Sequence, residues 1–426
     1  MKNKIFSLLA GFALALLSSY HANAQFTVDG DFRTRWYSDS FDGARDNRGT
    51  ENYMRYLGRI RGKAKVGRST SFFTEVITLI DNPGAPVRNI AGTGSMRWGV
   101  SQVYAEMTEP NFLVFDLVRL RLGRQQFPLG EGLTLGESYY FIDKFDGCRI
   151  DLAYHPFTLS LFGAITGQNL SASGLYPDPG SDQLYVARLG ASLGKQNVMT
   201  YCVLQRLRGL YNDNETFGAG ASGELLVRDL VYSAEAAYQN FATVSGLPKK
   251  AGIGYLGGIS YRFGLGPFRS IKVETRYAAY EGDDAKTIGT VEQFSPPYPS
   301  FFWGSRAGYV NGDIGGDFPR NGQNLEGSRI WYTRCYVIPS VLPKLRIQVQ
   351  YIKVKEYIDN DGYNWMDDEF SARLYYTLSS QSQLQLRYTK VIPNGDDKDV
   401  DGNGNISYYE DRLYVRGLML EWQIQF

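Results

Sequence analysis

Histidine is almost missing from this chain. Two occur in the full sequence, and His155 is the one beyond residue 24. Hydrolases and acyltransferases commonly move protons with a positioned histidine. His155 stands before Pro156 in a tight turn, and no lipase elbow, zinc cluster or phosphate-cradling loop is present, so no enzyme is expected. Cysteine is scarce as well. Cys148, Cys202 and Cys335 are an odd number without metal-ligand spacing, and they read as small apolar wall residues rather than a disulfide framework. Beyond residue 24 no stretch supplies the roughly 20 apolar residues of a membrane-spanning helix. Neither charge sign dominates, with 45 Lys and Arg against 44 Asp and Glu, and no nucleic-acid partner is expected. Domain boundaries, low-complexity tracts and longer internal repeats are also lacking.

The first 24 residues read as a secretory signal. Lys2 and Lys4 open it, residues 5–17 form a short apolar run, and Ala22-Asn23-Ala24 is a small-x-small cleavage site. Loss of the two lysines would leave 43 basic residues against the same 44 acidic ones. The remainder, 25–426, reads as a single domain. Its 47 Gly, 31 Tyr and 24 Phe suit many strands with aromatic ends.

The C-terminal stretch shows the pattern most clearly. Leu418, Leu420, Trp422, Ile424 and Phe426 alternate with Met419, Glu421, Gln423 and Gln425, the period of two that gives a strand one apolar face. Similar segments recur from 26–38, 53–67 and 70–80 through to 411–426, about eighteen in all. Their connections alternate between short (67–70, 155–156, 264–269) and long (281–327). The expectation is an all-β transmembrane antiparallel barrel of about 18 strands, with short periplasmic turns and long extracellular loops, in the bacterial outer membrane. Outer-membrane lipid, lipopolysaccharide and the barrel-insertion machinery, which reads a terminal aromatic strand, are the implied partners.

If the apolar parity meets lipid, the other parity lines the lumen. In the second strand that parity holds Arg55, Arg59, Arg61, Lys63 and Lys65. Elsewhere it gives Arg33, Arg35, Arg119, Arg121, Arg149, Lys272, Arg276, Arg346, Arg373 and Arg387, against fewer acids: Asp29, Asp31, Glu75, Asp151, Glu274, Glu369 and Glu421. The remaining acids are expected in loops, as at Asp367-Asp368. Inward arginines can pair with inward acids, but the second strand carries more cation than its neighbours can neutralise. A low-dielectric wall focuses such a field, and guanidinium forks bind carboxylates. The lumen is therefore expected to pass an anionic small-molecule or saccharide solute, such as a polyuronate or organic acid. The alternative is a closed-lumen binding or adhesion barrel, which conductance would separate.

Two motifs carry a family resemblance. Leu120-Arg121-Leu122-Gly123-Arg124-Gln125, then Gly130 and Gly132, then Phe145-Asp146-Gly147-Cys148-Arg149, resembles the signature of the alginate-export family of outer-membrane porins. Phe294-Ser295-Pro296-Pro297-Tyr298-Pro299, with the later Asn324-Leu325, is similar to that family's long loop before its C-terminal strands. The resemblance covers about a tenth of the chain. It implies an eighteen-stranded barrel with an arginine-rich lumen and points to Arg121, Arg124 and Arg149. Arg124 shares the lipid parity of Leu120 and Leu122. Either Gly123 bulges and turns it inward, or it sits above the membrane.

The connection before the last strand has EF-hand spacing: Asp399, Asp401, Asn403 and Ser407 at positions 1, 3, 5 and 9, Gly404 at 6, Asn405 at 7 for its carbonyl, and Glu410 at 12. A structural calcium ion in this extracellular loop is the expected cofactor, and no other is. The bland reading is a surface turn rich in Asp, Asn and Gly. Strand flanks exclude a sensor of the groove-opening kind. Limited proteolysis tests the site: millimolar calcium should slow cleavage between residues 396 and 411, and Glu410→Gln should abolish the protection. Equal cleavage in calcium and in chelator would leave only the surface turn.

Overall fold

The computed structural model describes residues 25–42, 49–81, 96–135, 145–166, 182–206, 211–225, 227–243, 249–282, 290–292, 294, 328–356, 366–393, 398–400, 406–408 and 414–426. Their alternating pattern becomes eighteen long antiparallel strands. The first nine are β1 (Gln25–Asp42), β2 (Gly49–Val66), β3 (Thr70–Asp81), β4 (Met96–Phe112), β5 (Phe115–Gln125), β6 (Phe145–Tyr154), β7 (Phe157–Thr166), β8 (Asp182–Leu193) and β9 (Gln196–Arg206). The others are β10 (Tyr211–Glu224), β11 (Leu230–Thr243), β12 (Lys249–Leu265), β13 (Phe268–Tyr280), β14 (Ser328–Pro339), β15 (Leu345–Glu356), β16 (Met366–Ser379), β17 (Ser382–Pro393) and β18 (Tyr414–Gln425). Each pairs with its chain neighbours, and β18 returns to β1, so the sheet closes into a barrel.

Closure runs from Asp31 opposite Gln425 to Asp42 opposite Tyr414. Past the ladder, the Gly30 amide donates to the Phe426 carbonyl (2.9 Å) and the Phe426 amide donates back to Gly30 (3.1 Å). A Cβ on residue 30 would fall 2.5 Å from the Arg59 carbonyl oxygen and 2.7 Å from Cζ of Phe426. The seam therefore requires glycine at that point.

Hairpins such as Leu113-Val114, His155-Pro156, Gly194-Lys195, Gly266-Pro267 and Ser380-Gln381 are short, and they share one end of the barrel with Gln25 and Phe426. Longer connections leave the other end. Phe32, Ile60, Leu122, Leu189, Tyr255 and Trp422 are exposed on the outer face. Asp31, Arg35, Glu75, Arg387 and Glu421 are buried on the inner face. That is the inverse of a soluble barrel and the pattern lipid demands.

Three parts of the sequence reading change. The residues after β5, expected as an outer loop, turn into the lumen. Asp367 and Asp368 belong to β16 rather than a loop, and the Tyr351 hydroxyl donates to Asp368 Oδ1 at 2.8 Å. Arg124 stays on the outer face. Gly123 adopts φ 123°, yet pairing continues without a skipped residue, from Leu122 opposite Cys148 to Arg124 opposite Asp146.

Of the proposed calcium loop, Asp401, Asn403, Asn405 and Glu410 lie outside the described residues, as do the signal at 1–24 and the side chain of Arg55. Short pieces Lys398–Val400 and Ile406–Tyr408 pair there, with Asp399 opposite Ser407. The topology makes a direct prediction. An epitope inserted near Gly312 should be labelled on intact cells, while one in 264–269 should be labelled only after the outer membrane is permeabilised. Labelling of the second on intact cells would invert the barrel.

Candidate functional site: a lumen narrowed by an inward-folded segment

At the end of β5 the chain reaches a pair of glycines. Gly123 lies opposite Gly147, and Cβ atoms there would fall 2.3 Å from the carbonyl oxygens of Val103 and Gly163 respectively. Gln125, fully buried, spreads its amide over this backbone, donating from Nε2 to the carbonyls of Gly147 (3.2 Å), Gly123 (3.4 Å) and Arg121 (3.4 Å). On the outer face Arg124 grips Asp146 with two parallel hydrogen bonds, Nε to Oδ1 at 2.9 Å and Nη2 to Oδ2 at 2.7 Å. The two halves of the L-G-R-Q and F-D-G motif thus meet as one cross-strand hinge, and the chain leaves it toward the barrel axis.

The segment 126–135 then packs inside. Phe127, Leu129, Leu133 and Leu135 are buried against the inner-face residues Phe162, Leu184, Val186, Tyr201, Val203, Ala237, Leu256 and Ala278. Phe127 stacks on Phe162 at 4.8 Å between ring centroids. Phe294, from the second motif, joins the same cluster and lies 6.1 Å from the Tyr280 ring. The first motif and Phe294, the one described residue of the second, therefore meet in the lumen.

A polar latch fixes the tip. Glu235, buried on β11, accepts the Glu131 amide (2.7 Å) and the Tyr201 hydroxyl (2.7 Å), and Tyr201 is itself 2.9 Å from Thr134 Oγ1. Glu131 reaches back to Arg276 (2.8 Å). Gly130, with φ 51°, sits so close that a Cβ would fall 2.5 Å from Glu235 Oε2. Buried carboxylates need such donors, since an unsatisfied one costs about 1–3 kcal/mol or more.

Next to this apolar layer, toward the short-turn end, the inner face turns polar. Arg59 pairs with Asp31 (2.6 Å) and approaches Glu75 (3.8 Å); Arg61 pairs with Asp29 and Arg35 with Glu421. Arg121 and Arg119 share Glu106 at 2.5 and 3.9 Å, and Arg121 covers the Tyr104 ring at 4.3 Å. Arg149 pairs with Asp151 (2.9 Å) and covers Phe127 (4.7 Å). Arg387 is buried 3.7 Å from Glu369. Arg373 lies opposite Arg387 and Gln348 in the ladder. Arg346 stacks on Tyr375 at 4.1 Å, with its Nε buried and without a hydrogen-bond acceptor. Among the described residues Lys63, Lys65 and Arg346 have no carboxylate partner. Arg55 lies in register opposite Arg35.

These partnerships revise the idea of a bare positive column. Arg59 and Arg61, its middle, are neutralised by acids of β1 and β3. Glu106, Glu235, Arg188 and Arg334 share the inner parity and Glu131 comes from the inward segment; the sequence reading did not include them.

No family model matches the sequence, and no curated protein matches it. Solved structures do. Pseudomonas aeruginosa OccK9 (OpdG) superposes with a TM-score of 0.60 at 12% identity, covering 94% of this chain and 99% of its own. The fold is that of an outer-membrane porin. A BenF-like porin from Pseudomonas fluorescens Pf-5 gives 0.57 at 10% identity, over 95% and 99%. P. aeruginosa OccK2 (OpdF) in complex with glucuronate gives 0.57 at 11% identity, over 94% and 98%. These neighbours are Occ and BenF-like porins, so the likeness carries the porin architecture and not the alginate-export family.

The latch yields a prediction. Glu235→Ala leaves the Glu131 amide unsatisfied and the Tyr201 hydroxyl with Thr134 alone, and a loss of about 2 kcal/mol should raise the undocked fraction of segment 126–135 roughly thirtyfold. Single-channel traces should then gain open-state noise and a larger mean conductance. Traces matching wild type would show that the apolar contacts alone hold the segment.

Proposed function

We propose that the chain is a passive outer-membrane pore for small anionic solutes, with uronate-containing saccharides and organic acids as the solute class, and that it is not an enzyme. The observation that carries this is that, among the described residues, Lys63, Lys65 and Arg346 on the inner face have no carboxylate partner. The apolar cluster around the inward-folded segment covers the long-loop part of the wall from β6 to β15, leaving the remaining wall and the polar layer below the cluster as the path. That path is lined by Arg346, Arg373, Arg387, Arg59, Arg61, Lys63, Lys65, Arg119, Arg121 and Arg149. Ion pairs hold most of these side chains extended along the wall, while Lys63, Lys65 and Arg346 keep uncompensated charge. Guanidinium groups offer forked donors that match a carboxylate. One structurally similar porin was solved with glucuronate, a carboxylate.

A closed-lumen binding or adhesion barrel draws support from the same inward segment, which fills part of the cross-section. Conductance divides the two readings. The calcium reading of 399–410 rests on its ligand spacing, and outer-membrane lipid, lipopolysaccharide and the barrel-insertion machinery are the partners the fold calls for.

In a planar bilayer with a potassium chloride gradient, the reversal potential should show chloride preferred over potassium. Replacing Lys63, Lys65 and Arg346 together by Gln should reduce that preference several-fold. The difference should fade between 0.1 and 1 M salt, as the Debye length falls from about 10 to about 3 Å. Absence of conductance would favour the closed barrel, and a potassium preference in the wild type would overturn the anion reading.

A further inference from the structure

Cations are rare on the lipid-facing side of the wall. At the long-loop end, Arg124 grips Asp146 (2.7 Å) and Arg206 lies 3.9 Å from Asp213. One sector departs from this pairing. Lys353 on β15 and Lys390 on β17 are each the fourth residue from the long-loop end of their strand. Their chain neighbours Ile352 and Thr389 are fully buried on the inner face, so both lysines take the outer parity. Neither forms an ion pair or a side-chain hydrogen bond among the described residues. Arg329, exposed on the outer parity of β14, adds a third cation.

Register places the two lysines on either side of β16. Lys353 stands opposite Trp331 on β14 and Asp368 on β16. Lys390 stands opposite Phe370, two residues along β16 from Asp368. Two strand spacings, about 10 Å, separate their backbones. Asp368 is the one described acid in the group. It accepts the Tyr351 hydroxyl at 2.8 Å, and Lys353 forms no ion pair with it. Aromatic rings surround the lysines. Trp331 meets Tyr351 edge-on at 6.4 Å between centroids, and Trp331, Phe370 and Tyr388 are exposed. Such a girdle marks the level where hydrocarbon gives way to headgroups. Below it, toward the short-turn end, Val349, Leu374 and Leu386 continue the apolar face. A lysine at this height can lay its stem along the rings and lift its ammonium into the headgroup layer.

We infer that Lys353 and Lys390 form a docking site on the outer wall for a phosphate of an outer-leaflet lipid, the lipid A portion of lipopolysaccharide. Charge complementarity selects this occupant. Three cations against one committed acid leave the patch positive, and the anions at that depth of the outer leaflet are lipid phosphates. A compact ammonium suits phosphate as a point charge, without the fork that a carboxylate favours. The apolar face below the lysines is where the acyl chains of the same molecule would lie. The inference rests on the outer-membrane placement and gives the lipopolysaccharide partner a location. It is independent of the anion-pore reading, because these side chains stand on the far side of the wall from the lumen.

The test titrates lipid A into the full chain in detergent micelles and counts bound lipid by native mass spectrometry. Lys353→Gln combined with Lys390→Gln should weaken binding tenfold or more, since each lysine near a lipid phosphate is worth about fivefold. Dephosphorylated lipid A should bind wild type as weakly as lipid A binds the double variant. Asp368→Asn removes the acid and should tighten binding. Inorganic phosphate should not displace the lipid. Half-saturation within twofold of wild type in a double variant with normal heat-modifiable mobility would overturn the site. Equal binding of dephosphorylated lipid A to wild type would overturn it too, as would weakening by Asp368→Asn to the level of the double variant. Displacement by inorganic phosphate at matching concentration would make this a site for the free anion and overturn lipid docking. If the double variant does not fold, Lys390→Gln alone decides, with about fivefold expected and an unchanged affinity overturning the site. The pore and the site fail separately. A closed or potassium-preferring channel that loses lipid A on lysine replacement keeps the site. A chloride-preferring channel whose lipid A binding ignores both lysines removes the site alone.

Discussion

Backbone amides and carbonyls have no water to bond in the hydrocarbon region, so a strand-built membrane protein must leave no edge. Here that requirement is met between Asp31–Asp42 and Tyr414–Gln425, where the first and last strands join. The rest of the architecture depends on it. With Gln25 and Phe426 at one rim, every hairpin at that rim can be short and every long excursion falls at the other. The terminal aromatic and Gly30 form a matched pair within the seam, since the ring occupies the space where any side chain at residue 30 would stand.

Inside the closed wall, the lumen is divided by layer and by sector. Segment 126–135 and Phe294 cover the long-loop part of the wall from β6 to β15 with an apolar cluster that has the character of a soluble protein's core. Polar contacts hold that cluster in place, because Glu235 could not be buried there without the amide and hydroxyl it receives. The rest of the lumen stays polar and is organised by ion pairs across neighbouring strands. Such pairs contribute little net stability where water reaches them. Their effect is geometric: they keep long arginine side chains lying along the wall instead of reaching across the passage.

Much of the barrel could be read directly from the sequence, because strand, turn and facing all follow from a period of two. The eighteen segments, the terminal seam and the inner parity of Arg59, Arg61, Arg121 and Arg387 are cases where local pattern and global fold agree. The inward segment was not legible in this way. Its residues Phe127, Leu129, Leu133 and Leu135 read as an ordinary loop, and nothing local says which side of the wall it takes. A signal does exist elsewhere: Leu184 to Ala187 and Tyr201 to Leu204 are apolar on both faces, and a lumen-facing strand has no reason for that unless something dry covers it. The side taken by Arg124 was left open for a related reason. Parity placed it outward, and only the position of Asp146, twenty-two residues on, explains why a charged side chain is stable there. The pairing of Arg59 and Arg61 was obscured because parity identifies the face a residue shares, not the height at which its neighbour's acid arrives.

The two layers on β8 also bear on how such a chain can drift. On one side of one strand, Leu184 and Val186 face a packed cluster and Arg188 lies in register with Ser160 in the polar layer. The first two sites should accept exchanges that conserve volume and reject polarity. The third should accept changes of size and respond to the sign of its charge. Substitution profiles along a single inner face would then change character within one step of the pleat. Sequences sharing this backbone could diverge by two independent rules while the hydrogen-bonded ladder, which is indifferent to side chains, preserves the shape.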